Sequence, residues 1–226
     1  MAYPSLLGHT WEAWNWDAAA KSNAVELSSC QQAVYFHTNT LLESEGSAGV
    51  RGTKGFWYGE HYWEVEFTEP LYGCSVMVGL GTKEALLHSD QIQSTNLLGM
   101  DGESWGLSYK GSLWHNGQSR KYTEAFYDKS TVIGVLLDLN SGALSFYLNG
   151  VSLGLAFSGL HKVSRPLYPL VSSSAPETEL LLGLRTCRLM SLQDSCLHVI
   201  SQSLSSQASP HSLPLPRVIC EQLSSA

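Results

Sequence analysis

The stretch Tyr62-Trp63-Glu64-Val65-Glu66-Phe67 alternates apolar and acidic side chains from Trp63 onward. A period of two puts Trp63, Val65 and Phe67 on one face and Glu64 and Glu66 on the other, which is a strand with one wet face. Other strand-length segments rich in aromatic and β-branched residues recur between Gly, Asn, Asp and Ser clusters, at 33–36, 75–81, 106–109, 131–138, 143–148 and 167–171. Leu139-Asn140-Ser141-Gly142 is turn chemistry between two apolar runs, so 131–148 reads as a hairpin, and Asn149-Gly150 marks a second turn of type I′. No long helical period separates these strands. A parallel α/β sheet is therefore disfavoured. The expectation is a mainly β, antiparallel β-sandwich over residues 10–185.

The material for such a core is present: 43% of residues are hydrophobic, with 7 Trp and 10 Tyr. The 13 Lys and Arg are outnumbered by 20 Asp and Glu, for a net charge of -7. That balance argues against nucleic acid and against anionic membrane surfaces as partners, since both are bound through basic faces. No apolar run reaches the length of about 18 residues that a membrane span needs. Residues 1–20 lack a basic start followed by an apolar block, so no secretory leader is expected. The five cysteines are odd in number and never spaced C-x-x-C, which reads as reduced thiols in a cytoplasmic or nuclear protein.

Near Arg185 the pattern changes. From Cys187 to Ile200 the spacing predicts a helix, with Leu189, Leu192, Cys196, Val199 and Ile200 three or four apart on one stripe. Ser201–Ser212 is Ser-rich and reads as loop. Leu213-Pro214-Leu215-Pro216 follows, rigid and poor in donors. The plan is one β domain with a short helical C-terminal appendage.

Catalytic patterns are weak. Gly102-Glu103-Ser104-Trp105-Gly106 matches G-x-S-x-G, but a nucleophile elbow needs a helix after the serine, and Leu107–Trp114 reads as strand, turn, strand. The plainer reading is a β-turn entering a strand. None of the eight histidines forms H-x-x-x-H or joins Cys or carboxylates at ligand spacing, so no metal is expected. No phosphate-cradling glycine motif occurs, and no cofactor is expected. The Trp-rich start (Trp11, Trp14, Trp16) reads as core and edge packing rather than a stacking platform.

The C-terminal helix is more informative. Leu192, Cys196 and Ile200 fall at i, i+4 and i+8, an apolar face suited to a partner's groove. With Leu213-Pro214-Leu215-Pro216 downstream, the appendage resembles a SOCS box over residues 187–223. The β domain resembles a SPRY domain through Gly49–Gly55, His61–Val65, Met77–Thr82, Leu97–Gly99, Glu103–Tyr109, Asp138–Phe146 and Tyr168–Val171. The whole is similar to the SPRY-domain SOCS-box proteins.

That resemblance implies a non-catalytic adaptor. Ser191, Leu192, Cys196 and Ile200 would bind elongin C in its complex with elongin B. Leu213, Pro214, Leu215, Pro216 and Ile219 would bind cullin-5, which carries a RING-box protein. Gln222 stands where that family usually has an aromatic, and Pro210 where it has an aliphatic residue. The SPRY domain would capture a short, Asn-containing degron of a substrate protein. Thr40, within 38–44, replaces a Pro-Val-Ala loop, and Leu97 matches a pocket leucine. Ser94 stands for a pocket tyrosine, and Ser174-Ala175-Pro176 for a Val-Trp-Gly run. The expected pocket is shallower and more polar than in other members. The competing reading is a stand-alone SPRY interaction module whose appendage packs on its own sandwich.

Overall fold

In a computed structural model, Trp63, Val65 and Phe67 turn inward as their alternation requires, while Glu64 and Glu66 stay half-exposed. The structure describes residues 6–37, 46–71, 75–89 and 96–189, together with 196, 200, 216 and 219–220. In chain order the strands are β1 (Thr10–Trp11), β2 (Trp16–Lys21), β3 (Val25–Leu27), β4 (Ala33–Phe36), β5 (Ser47–Gly52), β6 (Glu60–Phe67), β7 (Val76–Gly81), β8 (His88–Ser89), β9 (Ser104–Ser108), β10 (Ser112–His115), β11 (Gln118–Lys121), β12 (Thr131–Asp138), β13 (Ala143–Leu148), β14 (Val151–Phe157), β15 (Tyr168–Ser173) and β16 (Thr178–Arg188).

They form two antiparallel sheets. The first runs β14-β13-β12-β6-β16-β4-β3, with β1 added beside β16; the second runs β11-β10-β9-β7-β15-β5-β2, with β8 beside β5. Trp63 and Val65 of β6, with Ile133, Val135 and Leu137 of β12, share one core with Val50, Val78, Leu80 and Leu107 of the second sheet. The 131–148 hairpin forms with Asp138 opposite Ala143. Asn149 and Gly150 both take positive φ, 50° and 78°, as a type I′ turn requires. The Asn149 side chain also accepts a hydrogen bond from the Val132 N–H at 2.8 Å.

Two features depart from the sequence expectation. The second sheet is buried on both faces along β7 and β9. Its outer face carries a second small core of Met77, Ala85, Leu98 and Leu170, which the chain between β7 and β9 lays over it. Gly106 of β9 permits the close approach, because a Cβ there would lie 2.7 Å from Leu98 Cβ. The helix expected from Cys187 also does not begin there. Cys187 and Arg188 pair with His61 and Glu60 as the end of β16, and Leu189 follows outside it. Contacts divide the chain into two compact units, Met1–Arg188 and Leu189–Ala226.

Candidate functional site

Strand register decides which loops meet. Ala48 of β5 and Val76 of β7 both pair with Ser173, the last residue of β15. In the other sheet, Phe36 pairs with Thr178 and Phe67 with Leu180. These residues mark one end of the sandwich. The ends of the segments that carry Thr40 and Ser94 converge here, since His37 follows β4 and Ser89 pairs with Ser47. Thr40 and Ser94 themselves lie outside the described residues.

The rim at this end is knitted by hydroxyl, amide and imidazole groups. The Ser174 N–H donates to the Ser75 carbonyl at 2.8 Å, and Ser75 Oγ donates to Asn96 Oδ1 at 2.7 Å. The Ala175 N–H donates to Ser173 Oγ at 2.9 Å, and Thr178 Oγ1 donates to the Ala175 carbonyl at 3.0 Å. His37, held at φ 52°, donates from Nε2 to the Ser173 carbonyl at 3.0 Å. Leu97 is buried and lies over Gly49, whose missing Cβ leaves it room. Ala175 is buried too, whereas Ser174 is half-buried and Pro176 and Glu177 are exposed. Of the three described degron positions, Leu97 and Ala175 therefore support the rim from beneath, and Ser174 alone reaches its surface. The sequence reading missed His37 and Thr178, because nothing local marks a residue that braces a turn across two sheets.

The opposite end is built from charges. Glu12 is buried, with Oε1 at 2.9 Å from Lys54 Nζ and Oε2 at 3.1 Å from His61 Nδ1. His61 Nε2 meets the Tyr58 carbonyl at 2.9 Å, and its ring stacks on Phe56 with centroids 3.9 Å apart. Burial alone would raise the Glu12 carboxyl. Hydrogen bonds and charge from His61 and Lys54 outweigh it and hold the group below the ordinary value of 4.5. His9 adds a bond from Nε2 to Glu60 Oε1 at 2.6 Å. Of the three early tryptophans, Trp14 and Trp16 pack into the core as expected, while Trp11 remains 61% exposed.

A family model for the SPRY domain matches residues 60–185. SPRY domain-containing SOCS box protein 3 of Xenopus laevis is 38% identical over 212 residues, covering 93% of this chain and 57% of that protein. SPRY domain-containing SOCS box protein 1 of Homo sapiens is 32% identical over 196 residues, covering 80% of this chain and 69% of that protein. The chain belongs to this family. It spans a little over half the length of the Xenopus relative. The TRIM65 PSpry domain has the same fold, with a TM-score of 0.58 at 27% identity over 76% of this chain and 90% of that domain.

Family membership explains Ser104. In this SPRY domain it opens β9, a strand and not a helix, and its buried Oγ accepts the Gly99 N–H at 2.8 Å. His115 bonds through Nδ1 to the Ser104 carbonyl at 2.8 Å and not to the hydroxyl. The serine is thus a turn brace.

For the SOCS-box positions the structure speaks to five residues. Cys196 is helical and exposed, and Ile200 is helical and half-buried. Pro216 opens a helical turn in which its carbonyl accepts the N–H groups of Ile219 at 2.9 Å and Cys220 at 3.2 Å. Ile219 is half-buried and Cys220 buried. Ser191, Leu192, Leu213, Pro214 and Leu215 lie outside the described residues. Cys30, Cys187 and Cys196 are free thiols. Among the described residues no helix is long and apolar enough to cross a membrane.

Proposed function

We propose that this chain is the substrate-recognition adaptor of an elongin B/C–cullin-5 RING E3 ubiquitin ligase. The SPRY sandwich captures a short degron, Asn-containing as the family resemblance implies, through Thr40, Ser94, Leu97, Ser174 and Ala175. The C-terminal unit recruits elongin C through Ser191, Leu192, Cys196 and Ile200. It recruits cullin-5 through Leu213, Pro214, Leu215, Pro216 and Ile219. The chain performs no bond chemistry of its own. It raises the effective concentration of a substrate lysine near a charged ubiquitin-conjugating enzyme.

One observation carries the reading: Cys196, central to the i, i+4, i+8 stripe, is helical and exposed within a unit separate from the sandwich. An exposed residue in the middle of an apolar helical spacing is suited to a partner's groove. The SOCS box in the names of both relatives supports the same reading.

Co-expression with elongins B and C followed by gel filtration tests it. Wild type is expected to elute as a stoichiometric complex, and Leu192→Asp/Cys196→Asp to lose it, because a carboxylate cannot enter an apolar groove unpaired. A wild-type chain that elutes alone would refute the adaptor reading and leave a stand-alone SPRY interaction module.

A further inference from the structure

At the charged end of the sandwich lies a depression of about 390 Å³ whose wall includes Trp11, Asn15, Gln31, Gln32, Thr53 and Arg185. Its floor is unusual. Arg185 sits in β16, pairs across the sheet with Trp63 and is only 4% exposed. A guanidinium carries five N–H donors and remains charged at neutral pH. Here Nη1 is engaged, donating to the Trp14 carbonyl at 3.0 Å and to Asn15 Oδ1 at 3.3 Å. Nε is buried and meets no acceptor among the described residues. No described carboxylate pairs with the charge. Glu12, whose N–H donates to the Arg185 carbonyl at 3.0 Å, has both carboxylate oxygens committed to Lys54 and His61. Burial pulls the Arg185 pKa below its ordinary value, which marks the charge as under-compensated.

What compensates it is aromatic. The guanidinium carbon lies 4.9 Å from the Trp11 ring centroid and 5.9 Å from that of Trp14. Trp14 is a core residue, but Trp11 leaves most of its ring to solvent at the mouth of the depression. The loops are fixed around it by backbone bonds. Asn15 and Thr53 exchange two, Asn15 N–H to Thr53 Oγ1 at 3.2 Å and Thr53 N–H to the Asn15 carbonyl at 2.8 Å. The Gln31 carbonyl accepts the Trp16 N–H at 3.0 Å, and the Gln32 carbonyl accepts the Leu182 N–H at 2.9 Å. The result is a preformed, acid-free hollow on an acidic protein: one buried cation with spare donors, neutral amides, and an exposed indole at the lip. A role for Arg185 in tying down the N-terminal segment needs Nη1 only and leaves the rest of the fork and the Trp11 face unexplained.

We propose that this hollow is a carboxylate-binding site that takes an acidic side chain of a peptide segment. The carboxylate completes the fork of Arg185, the neighbouring apolar residue stacks on Trp11, and the amides of Asn15, Gln31 and Gln32 serve the peptide backbone. The site is separate from the rim assigned to degron capture, since Arg185 stands seven residues along β16 from Thr178, roughly 20 Å at the rise of a strand. It does not depend on the ligase reading.

The test titrates the full chain with the capped tripeptide acetyl-Ala-Glu-Leu-amide, with its Gln counterpart, and with glutarate. Binding is followed by the NMR signals of the Trp11 indole N–H and the Arg185 Nε–H. The Glu peptide is expected to give saturable shifts and the Gln peptide to bind about tenfold more weakly, the loss of one charge-assisted bond. Glutarate is expected to bind at the same residues but less tightly. Glutarate binding as tightly as the peptide would overturn the peptide assignment in favour of a free small carboxylate. Asn15→Asp is nearly isosteric and places an internal carboxylate on Nη1. It should fold, melt no lower than wild type, and lose about tenfold in affinity. Trp11→Ala, altering an exposed ring, should weaken the peptide more than glutarate. No saturable shift with any probe, or undiminished binding in Asn15→Asp, would overturn the proposal.

Discussion

At one end of the sandwich Ser173, Ala175, Thr178 and His37 close on one another through hydroxyl, amide and imidazole bonds. At the other, the buried Glu12 carboxylate pairs with His61 and the exposed Lys54, and beside it Arg185 is buried without a carboxylate partner among the described residues. The same strands supply both ends, so the difference lies in what each end must withstand. Hydroxyl and amide bonds hold a rim at modest energy and offer little charge for salt to screen. Buried charges hold a segment tightly but only as a complete set, because removing one member strands the others. The rim is therefore the more forgiving place to vary a recognition loop, and the charged end the more demanding.

Three substitutions sharpen that contrast, and the first acts on what lies beneath it. Trp63 is fully buried and edges onto Trp14 at 6.2 Å between centroids, with Phe56 at 5.8 Å. Trp63→Ala is expected to cost about 3–5 kcal/mol in a urea titration, the range for emptying a large aromatic site. Glu12→Gln comes next. It leaves Lys54 and His61 without their shared carboxylate and should cost about 3 kcal/mol.

That second loss should depend on pH. The Glu12 pKa is depressed in the folded state, so its contribution is complete above the unfolded value and drains away as pH falls through the lower folded one. Urea midpoints of wild type and Glu12→Gln should therefore converge as pH falls below the ordinary carboxylate value of 4.5. Ser173→Ala is the smallest of the three. Its hydroxyl bonds are neutral, and about 1–2 kcal/mol is expected. The difference between this variant and wild type should not narrow over the same acid range. Equal losses for Glu12→Gln and Ser173→Ala with matching acid profiles would erase the distinction between the two ends.

Much of this was visible in the residues and some of it was not. The period of two at 63–67, the turn chemistry at 139–142 and the Asn149-Gly150 pair each name their own geometry, because the forces that fix them act within a few residues. The double burial of β7 and β9 is different. It depends on the connection between the two strands folding back over the sheet, and the local traces are Gly81 and Gly106, where a side chain would meet Ala85 and Leu98 of that connection. The expected helix reaches back over Cys187 and Arg188 although the apolar stripe starts only at Leu189, and what makes the two residues strand is their non-local pairing with His61 and Glu60. At the rim, a resemblance assigns Leu97 and Ala175 to the degron pocket, and their burial, which no local pattern announces, comes from the packing beneath it. Arg185 was unreadable as a site, since an arginine is normally exposed and its burial follows from register with Trp63 and the docking of residues 11–15.

One topological fact has a bearing on how this molecule is made. The last strand in sequence, β16, is inserted between β6 and β4 in the middle of the first sheet, so a nascent chain halted before Thr178 holds two unpaired inner edges open to any extended segment nearby. Closure joins residues far apart along the chain and is correspondingly slow. A truncated translation product would then be a sticky half-sheet rather than a smaller working domain, and the cell's quality-control machinery has in β16 a late checkpoint that separates finished copies from unfinished ones.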